Sequence, residues 1–196
     1  DFNFDVDPSA KPQVQDYLQV NLADILLGLG AHYRLLADYD AGELTGEKGE
    51  VLAEEVKKIL RSRGYSANVE GVGMKYFHDT LLEKLEGKFV EAKRLGKKLV
   101  IGTDDALTST HIEDGEKFGG MRGLLGGDRY EALEANPDYG FAGLVKNVTR
   151  DREFFKRELE IIQELRDAYP DVRVGIALRL VRTFTDINEA LAVMKE

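Results

Sequence analysis

The sequence predicts an α/β protein: a helical N-terminal half packed on a mainly parallel sheet that the C-terminal βαβα half forms. Three observations lead to this prediction. Apolar residues recur at helical spacing through most of residues 16–96, whereas from residue 97 short apolar runs alternate with helical patterns. Such alternation is typical of crossover units in a parallel sheet. Within these runs, apolar residues follow one another with few polar interruptions. This favours strands that are buried on both faces, in a three-layer or partial-barrel-like arrangement.

Composition excludes several classes of protein. The chain has 196 residues, a formal net charge of −9 and no cysteine. Without cysteine there is no disulfide framework, thiolate metal site or thiol nucleophile. The acidic balance argues against a nucleic-acid partner, and no apolar run reaches the ~18 residues of a membrane span. No signal-peptide pattern is visible, so we expect a cytoplasmic protein.

The N-terminal half reads as an arm followed by three helices. Residues 1–13 alternate apolar and polar side chains and predict a short edge strand. Asp16 is a candidate cap for a helix that runs to about Asp38. Apolar stripes predict two further helices, at 47–63 and 75–96.

The C-terminal half reads as alternating strands and helices. Strands are expected at 98–102, 140–145 and 172–181, and helices at 152–168 and 187–195. Because no linker clearly separates the two halves, we expect a single domain over 1–196, with 64–73 the best position for an internal boundary.

The strand ends predict where a site lies. In parallel α/β sheets, ligands bind beyond the carboxyl ends of the strands. The segments that follow the three predicted strands are 103–105, 147–150 and 182–185. If the strands are parallel, these segments meet at one edge of the sheet.

The densest chemical cluster follows the first of these strands. It contains Asp104, Asp105, His111 and Glu113. Carboxylates suit Mg²⁺ or Mn²⁺, and mixed carboxylate and imidazole ligands suit Zn²⁺. We therefore expect a divalent metal on these four residues, with Asp104, Asp105 and His111 also catalytic. The alternative is a solvated acidic loop whose carboxylates cap turns.

A glycine-rich stretch follows, with six glycines in 115–127. Glycine allows backbone N–H groups to approach an anion, and arginine adds a bidentate fork. The predicted substrate-binding residues are Gly119, Gly120, Arg122, Arg150 and Arg182. The alternative for this stretch is a plain surface connector. Lys98 and Lys146 are both candidates for a buried Schiff-base lysine, and their neighbours single out neither.

Two functions from different classes fit these features. The first is a small-molecule enzyme, a metal-dependent hydrolase or lyase that acts on an anionic, phosphorylated substrate. The second is a non-catalytic subunit or regulatory domain that uses its helical half to bind a partner, or a second copy in a homo-oligomer. The sequence leaves open which of the two applies.

Overall fold

Three parallel strands and six helices make up the computed structural model, which describes residues 16–22, 29–105, 130 and 142–196. The strands are β1 (Tyr17–Asn21), β2 (Lys98–Gly102) and β3 (Val174–Ala177). The helices are α1 (Leu29–Ala41), α2 (Gly46–Ser62), α3 (Val72–Leu95), α4 (Leu144–Thr149), α5 (Arg152–Ala168) and α6 (Phe184–Val193).

The sheet has the order β1-β2-β3, and both pairs of strands are parallel. Asn21 of β1, Gly102 of β2 and Ala177 of β3 lie level with one another in the register. The three strands therefore end at one edge, and the residues that follow them lie side by side.

Amphipathic patterns account for the long helices. Helix α5 directs one stripe into the core, and Glu158 lies on that same stripe. The buried apolar members of the stripe are Phe154, Phe155, Ile161, Ile162 and Leu165. Helix α3 ends at Gly96, whose φ of 63° is a left-handed conformation that glycine adopts without steric cost.

One main core joins the two halves of the sequence. Helix α3 packs against α1 and α5, and its fully buried Leu81, Leu85 and Phe89 contribute to that core. Leu99 and Ile101 of β2 enter the same core. A smaller apolar cluster lies between α4, α5 and α6. None of the helices in the described ranges is long and apolar enough to cross a bilayer.

The structure confirms an α/β fold with a parallel sheet, and it corrects the predicted division into halves. The prediction of a helix from Asp16 to Asp38 is wrong in its first part, because residues 17–21 form β1, and it is confirmed in its later part by α1. Residues 23–28, between the two, lie outside the described residues. Strand β1 belongs to the sheet, so the C-terminal half does not form the sheet alone. Pairing with β2 outweighs a helical periodicity that glycines 28 and 30 already weaken.

The strand predicted at 140–145 is wrong at residues 144–145, which begin helix α4, and residues 140–141 lie outside the described residues. Strand β3 covers only part of the predicted 172–181, and α6 begins three residues before the predicted start. By contrast, β2 and α5 have the predicted bounds, and α2 and α3 are close to theirs. The arm at 1–13 lies outside the described residues, and the three-layer or partial-barrel arrangement stays a prediction.

Candidate functional site at the carboxyl edge of the sheet

The chain segments after β2 and β3 stay together beyond the strand ends. The backbone N–H of Thr103 donates to the carbonyl of Ala177 at 3.1 Å. The N–H of Arg179 in turn donates to the Thr103 hydroxyl at 3.2 Å. These bonds hold the segment 103–105 beside Arg179 at the edge where the sequence predicts a site.

Asp104 lies at the centre of a buried polar cluster, which also contains Lys146, Asn147 and Glu158. All four residues have 0% exposure. Lys146 Nζ lies 3.5 Å from Asp104 Oδ2, and the Asn147 amide donates to the Asp104 carbonyl at 3.0 Å. Glu158 Oε1 accepts from the Asp104 N–H at 3.2 Å. Helices α4 and α5 thus converge on the end of β2 through polar contacts.

Burial raises the pKa of Glu158 well above its ordinary value, and the neighbouring negative charge of Asp104 adds to the shift. The protonated form of Glu158 is therefore favoured at pH values where an exposed glutamate is ionised. In the part of the chain that is described, Glu158 Oε2 and Asn147 Oδ1 have no hydrogen-bond partner. The cluster thus places two carboxyl groups and a lysine side chain together, away from solvent.

Such a cluster requires an explanation beyond stability. Replacing a buried ion pair by apolar residues of similar volume is often neutral or stabilising, whereas breaking one costs about 3–5 kcal/mol. Clusters that combine burial with perturbed pKa values occur preferentially at functional sites. Of the two candidate lysines, Lys146 is buried here, whereas Lys98 is exposed on β2.

Asp105 and Arg179 form the part of the site that reaches solvent. Arg179 Nε donates to Asp105 Oδ2 at 2.9 Å, and their side chains are 37% and 18% exposed respectively. Gly102 allows the close packing beneath them: a Cβ there would lie 2.5 Å from Asn21 Oδ1 and 3.3 Å from Arg179 Cδ. Arg179 is therefore seated directly over the end of β2.

Two of the predicted substrate-binding arginines, Arg150 and Arg182, make contacts with residues other than Asp104 and Asp105. Arg150 donates to both carboxylate oxygens of Asp151 at 3.0 Å. The backbone N–H of Arg182 donates to Asp186 at 3.1 Å, at the start of α6. The contacts described for Arg150 and Arg182 do not join them to Asp104 or Asp105, and their role in substrate binding stays a prediction.

Five predicted site residues lie outside the described residues: His111, Glu113, Gly119, Gly120 and Arg122. Within the ranges that the structure describes, no group of three or more His, Asp or Glu side chains is arranged to hold a metal. The predicted metal site, which includes His111 and Glu113, therefore stays a prediction.

Glu158 and Arg179 are the site residues that the sequence analysis missed. Glu158 follows Phe154 by four residues and precedes Ile161 by three, so it interrupts an apolar helical stripe. A carboxylate at such a position is a recognisable signal. Arg179 falls inside the strand predicted at 172–181, and the observed end of β3 at Ala177 places it at the edge.

Comparison with known proteins gives one partial similarity. A probable phosphoenolpyruvate synthase of Staphylothermus marinus is 33% identical over 76 residues. The match covers 38% of this chain and only 9% of that protein. No protein-family model matches the sequence, and no solved structure matches the fold.

Proposed function

We propose that the carboxyl edge of the sheet is the active site of a small-molecule enzyme, a hydrolase or lyase that acts on an anionic, phosphorylated substrate. The observation that carries the proposal is the arrangement of Asp105 and Arg179 at the surface over the buried Asp104, Lys146 and Glu158. Charged groups at the ends of parallel strands, some in contact with solvent and some dry, are typical of α/β active sites.

Arg179 is the proposed anion-binding group. A guanidinium has five N–H donors in a planar fork, and the contact with Asp105 uses the Nε donor. The terminal nitrogens suit two oxygens of a carboxylate or phosphate. Phosphoenolpyruvate, which the name of the partly similar protein contains, carries both of these groups. We therefore propose a phosphorylated carboxylic acid as the substrate class.

The buried residues have a different proposed role from the surface pair. Asp104, Lys146 and Glu158 are fully buried, so they fix the position and charge of the strand end rather than contact the substrate. Asp105, which follows Asp104 directly, is the proposed acid or base at the surface. His111 remains a predicted catalytic residue beside Asp105, whereas the burial of Asp104 leaves it a catalytic role only through the proposed metal.

A divalent cation, Mg²⁺, Mn²⁺ or Zn²⁺, held by Asp104, Asp105, His111 and Glu113 remains part of the proposal. It would supply Lewis-acid assistance to the phosphoryl or carboxyl oxygen. Each of the two aspartates already lies beside a protein cation, Lys146 for Asp104 and Arg179 for Asp105. Metal binding therefore has to compete with both ion pairs.

Binding of phosphoenolpyruvate, measured by calorimetry, tests the anion site. We expect Arg179→Met to weaken binding roughly 10- to 100-fold, since a hydrogen bond to a charged group contributes about 1.5–3 kcal/mol. Arg63→Met is the matched control, because Arg63 is an exposed arginine at the end of α2. If the wild-type protein binds neither phosphoenolpyruvate nor inorganic phosphate, the proposed function is wrong.

Thermal unfolding with added Mg²⁺, Mn²⁺ or Zn²⁺ tests the metal separately. A metal that binds the folded state raises the melting temperature. We expect Asp105→Asn to abolish that rise, and Asp104→Asn together with Asp105→Asn to do the same. A melting temperature that none of the three metals changes would remove the metal from the proposal and leave the anion site in place.

The second candidate function is that of a non-catalytic binding subunit. Exposed apolar side chains along β3 and α6 favour it, with Phe184 86% exposed. An enzyme needs Arg179 and Asp105, whereas a binding subunit needs only that apolar surface. If substitutions at the apolar surface leave turnover intact and substitution of Arg179 abolishes it, the protein is an enzyme.

A further inference from the structure

Among the described residues, no strand covers the outer edge of β3, and the strand itself lacks the features that normally protect such an edge. Within the residues that the structure describes, β3 pairs only with β2. Its sequence, Val174-Gly175-Ile176-Ala177, contains neither charge nor proline. Proteins usually blunt exposed edge strands with lysine, proline or a bulge, because an unprotected edge pairs with other strands.

The hydrogen-bond pattern identifies which backbone groups face outward. The carbonyls of Arg173 and Ala177 accept from Leu99 and Thr103, on the β2 side. Because the N–H and C=O groups alternate in direction along a strand, those of Val174 and Ile176 point toward the open edge. A further strand laid there can form main-chain hydrogen bonds with β3.

An apolar groove runs along the same edge. It has a volume of about 490 Å³ and lies between β3, α5 and α6. Its apolar lining comprises Leu159, Ile162, Val174, Ile176, Val193 and Met194. Val174 and Ile176 are two residues apart, so they share one face of the sheet. Alternate side chains of an added strand would point to that face and fill the groove.

Exposed apolar residues continue the surface beyond the groove. The side chains that are more than a third exposed in this region are Ile176, Leu180, Val181, Phe184, Leu191 and Met194. A concentration of exposed apolar side chains is typical of an interaction site. The open edge, the groove and these side chains together form what we call the β3 surface.

We propose that the β3 surface binds a second copy of this chain through antiparallel pairing of the two β3 strands. A two-fold axis normal to the sheet, midway between the two β3 strands, generates this pairing and gives an isologous contact. Val174 and Ile176 of both copies then lie on one face, and the two apolar grooves join into a single layer. The contact extends the three-stranded sheets into one continuous six-stranded sheet.

The charges around the groove fit a second copy. The chain as a whole carries −9, so most contacts between copies would be repulsive. The charged residues that line this groove are balanced, with Lys156 and Arg166 against Glu160 and Glu196. The β3 surface therefore allows two copies to meet without the like-charge repulsion that the rest of the molecule imposes.

The experiment is the solution mass by light scattering and sedimentation over a range of protein concentrations. We expect the mass of a dimer in the wild-type protein. Ile176→Lys, which places a charge on the edge strand, should give the mass of one chain and weaken association at least tenfold. Val51→Lys is the matched control, because Val51 is an exposed valine on α2, 60% accessible, and it should leave the dimer intact.

Hydrogen exchange provides a second measurement that does not depend on a substitution. The amides of Val174 and Ile176 should be protected in the dimer and exchange faster on dilution. A monomer at every concentration, an assembly larger than a dimer, or a dimer that Ile176→Lys leaves unchanged would each overturn the proposal. If a strand of a different polypeptide binds this edge instead, the purified chain would stay a monomer at every concentration. None of these outcomes bears on the anion site.

Discussion

The carboxyl group of Glu158 makes the stability of the fold depend on pH. Its pKa is raised in the folded protein, chiefly by burial. Folding therefore favours the protonated form, and this contribution is complete below the ordinary glutamate pKa of about 4.3 in the unfolded chain. It is lost progressively as the pH rises through the folded pKa, where the ionised group has to remain buried beside Asp104.

We therefore expect Glu158→Gln to be stabilising relative to the wild type at alkaline pH. Glutamine keeps the shape of the acid but cannot ionise. Thermal unfolding between about pH 5 and pH 9 should give a difference in melting temperature that grows with pH. Glu160→Gln, at an exposed position of the same helix, is the control and should give no such trend. A difference that stays constant with pH would refute the assignment of a protonated Glu158.

Gly143 and Leu180 form the strained contact that supports Arg179. Both residues have positive φ, 62° for Gly143 and 50° for Leu180, and a Cβ at Gly143 would collide with that of Leu180. The Leu144 N–H next to this contact donates to the Arg179 carbonyl at 2.9 Å. Glycine is required at 143 because the backbone leaves no room for a side chain.

Gly143→Ala should thus lower the free energy of unfolding by about 1–3 kcal/mol and weaken anion binding at Arg179. Gly87→Ala is the opposite control, since Gly87 lies within α3 and a methyl group there would meet nothing within 4 Å. It should stabilise the protein by up to about 1 kcal/mol. Chemical denaturation of the two variants decides the matter: equal stabilities would contradict the packing described.

At the scale of an element, the start of α6 depends on one capping box. The Thr183 hydroxyl accepts from the Asp186 N–H at 3.2 Å, and the Asp186 carboxylate accepts from the Thr183 N–H at 2.9 Å. Thr185 is exposed and lies inside the helix.

Thr183→Ala should therefore cost about 0.5–2 kcal/mol of stability, the usual cost of removing a threonine cap. Thr185→Ala should cost less than Thr183→Ala, although it removes the same hydroxyl only two residues away. Urea unfolding of both variants measures the difference. The reverse order would show that Thr185, and not Thr183, caps the helix.

The elements that the sequence predicts correctly are those with a strong pattern of their own. Helices α2, α3 and α5 span several turns, and β2 is a run of apolar residues before a glycine. The short elements were predicted less well: β1 was assigned to a helix and residues 144–145 to a strand. Five or six residues fit either periodicity, and pairing with β2 or packing on α5 decides between them.

At the scale of the whole molecule, one core crosses the proposed boundary at 64–73. Val20, Leu85, Leu99 and Ile161 all belong to it, from β1, α3, β2 and α5. A shared core predicts that the chain unfolds as one cooperative unit. The single domain over 1–196 stays a prediction until unfolding is measured.

Leu85→Ala should lower the free energy of unfolding by about 2–5 kcal/mol, because Leu85 is fully buried. Far-ultraviolet circular dichroism and tyrosine fluorescence should report the same urea midpoint in the wild type, and both should shift together in the variant. Leu95→Ala is the control, at a residue 42% exposed. Two separate transitions would indicate that the helical and sheet-bearing parts unfold independently.

Local patterns in the sequence are enough to predict the α/β class, the long helices and the position of Asp104 and Asp105 just after a buried strand. These depend on periodicity and on local end signals, which a linear pattern contains. By contrast, the folded structure is needed to show that β1 joins the sheet, that Lys146 and Glu158 contact Asp104, and that Arg179 lies over Gly102. These residues are up to 81 positions apart along the chain, as for Asn21 and Gly102. No local pattern specifies which distant segments pair, because that choice depends on burial and hydrogen bonding in the assembled fold.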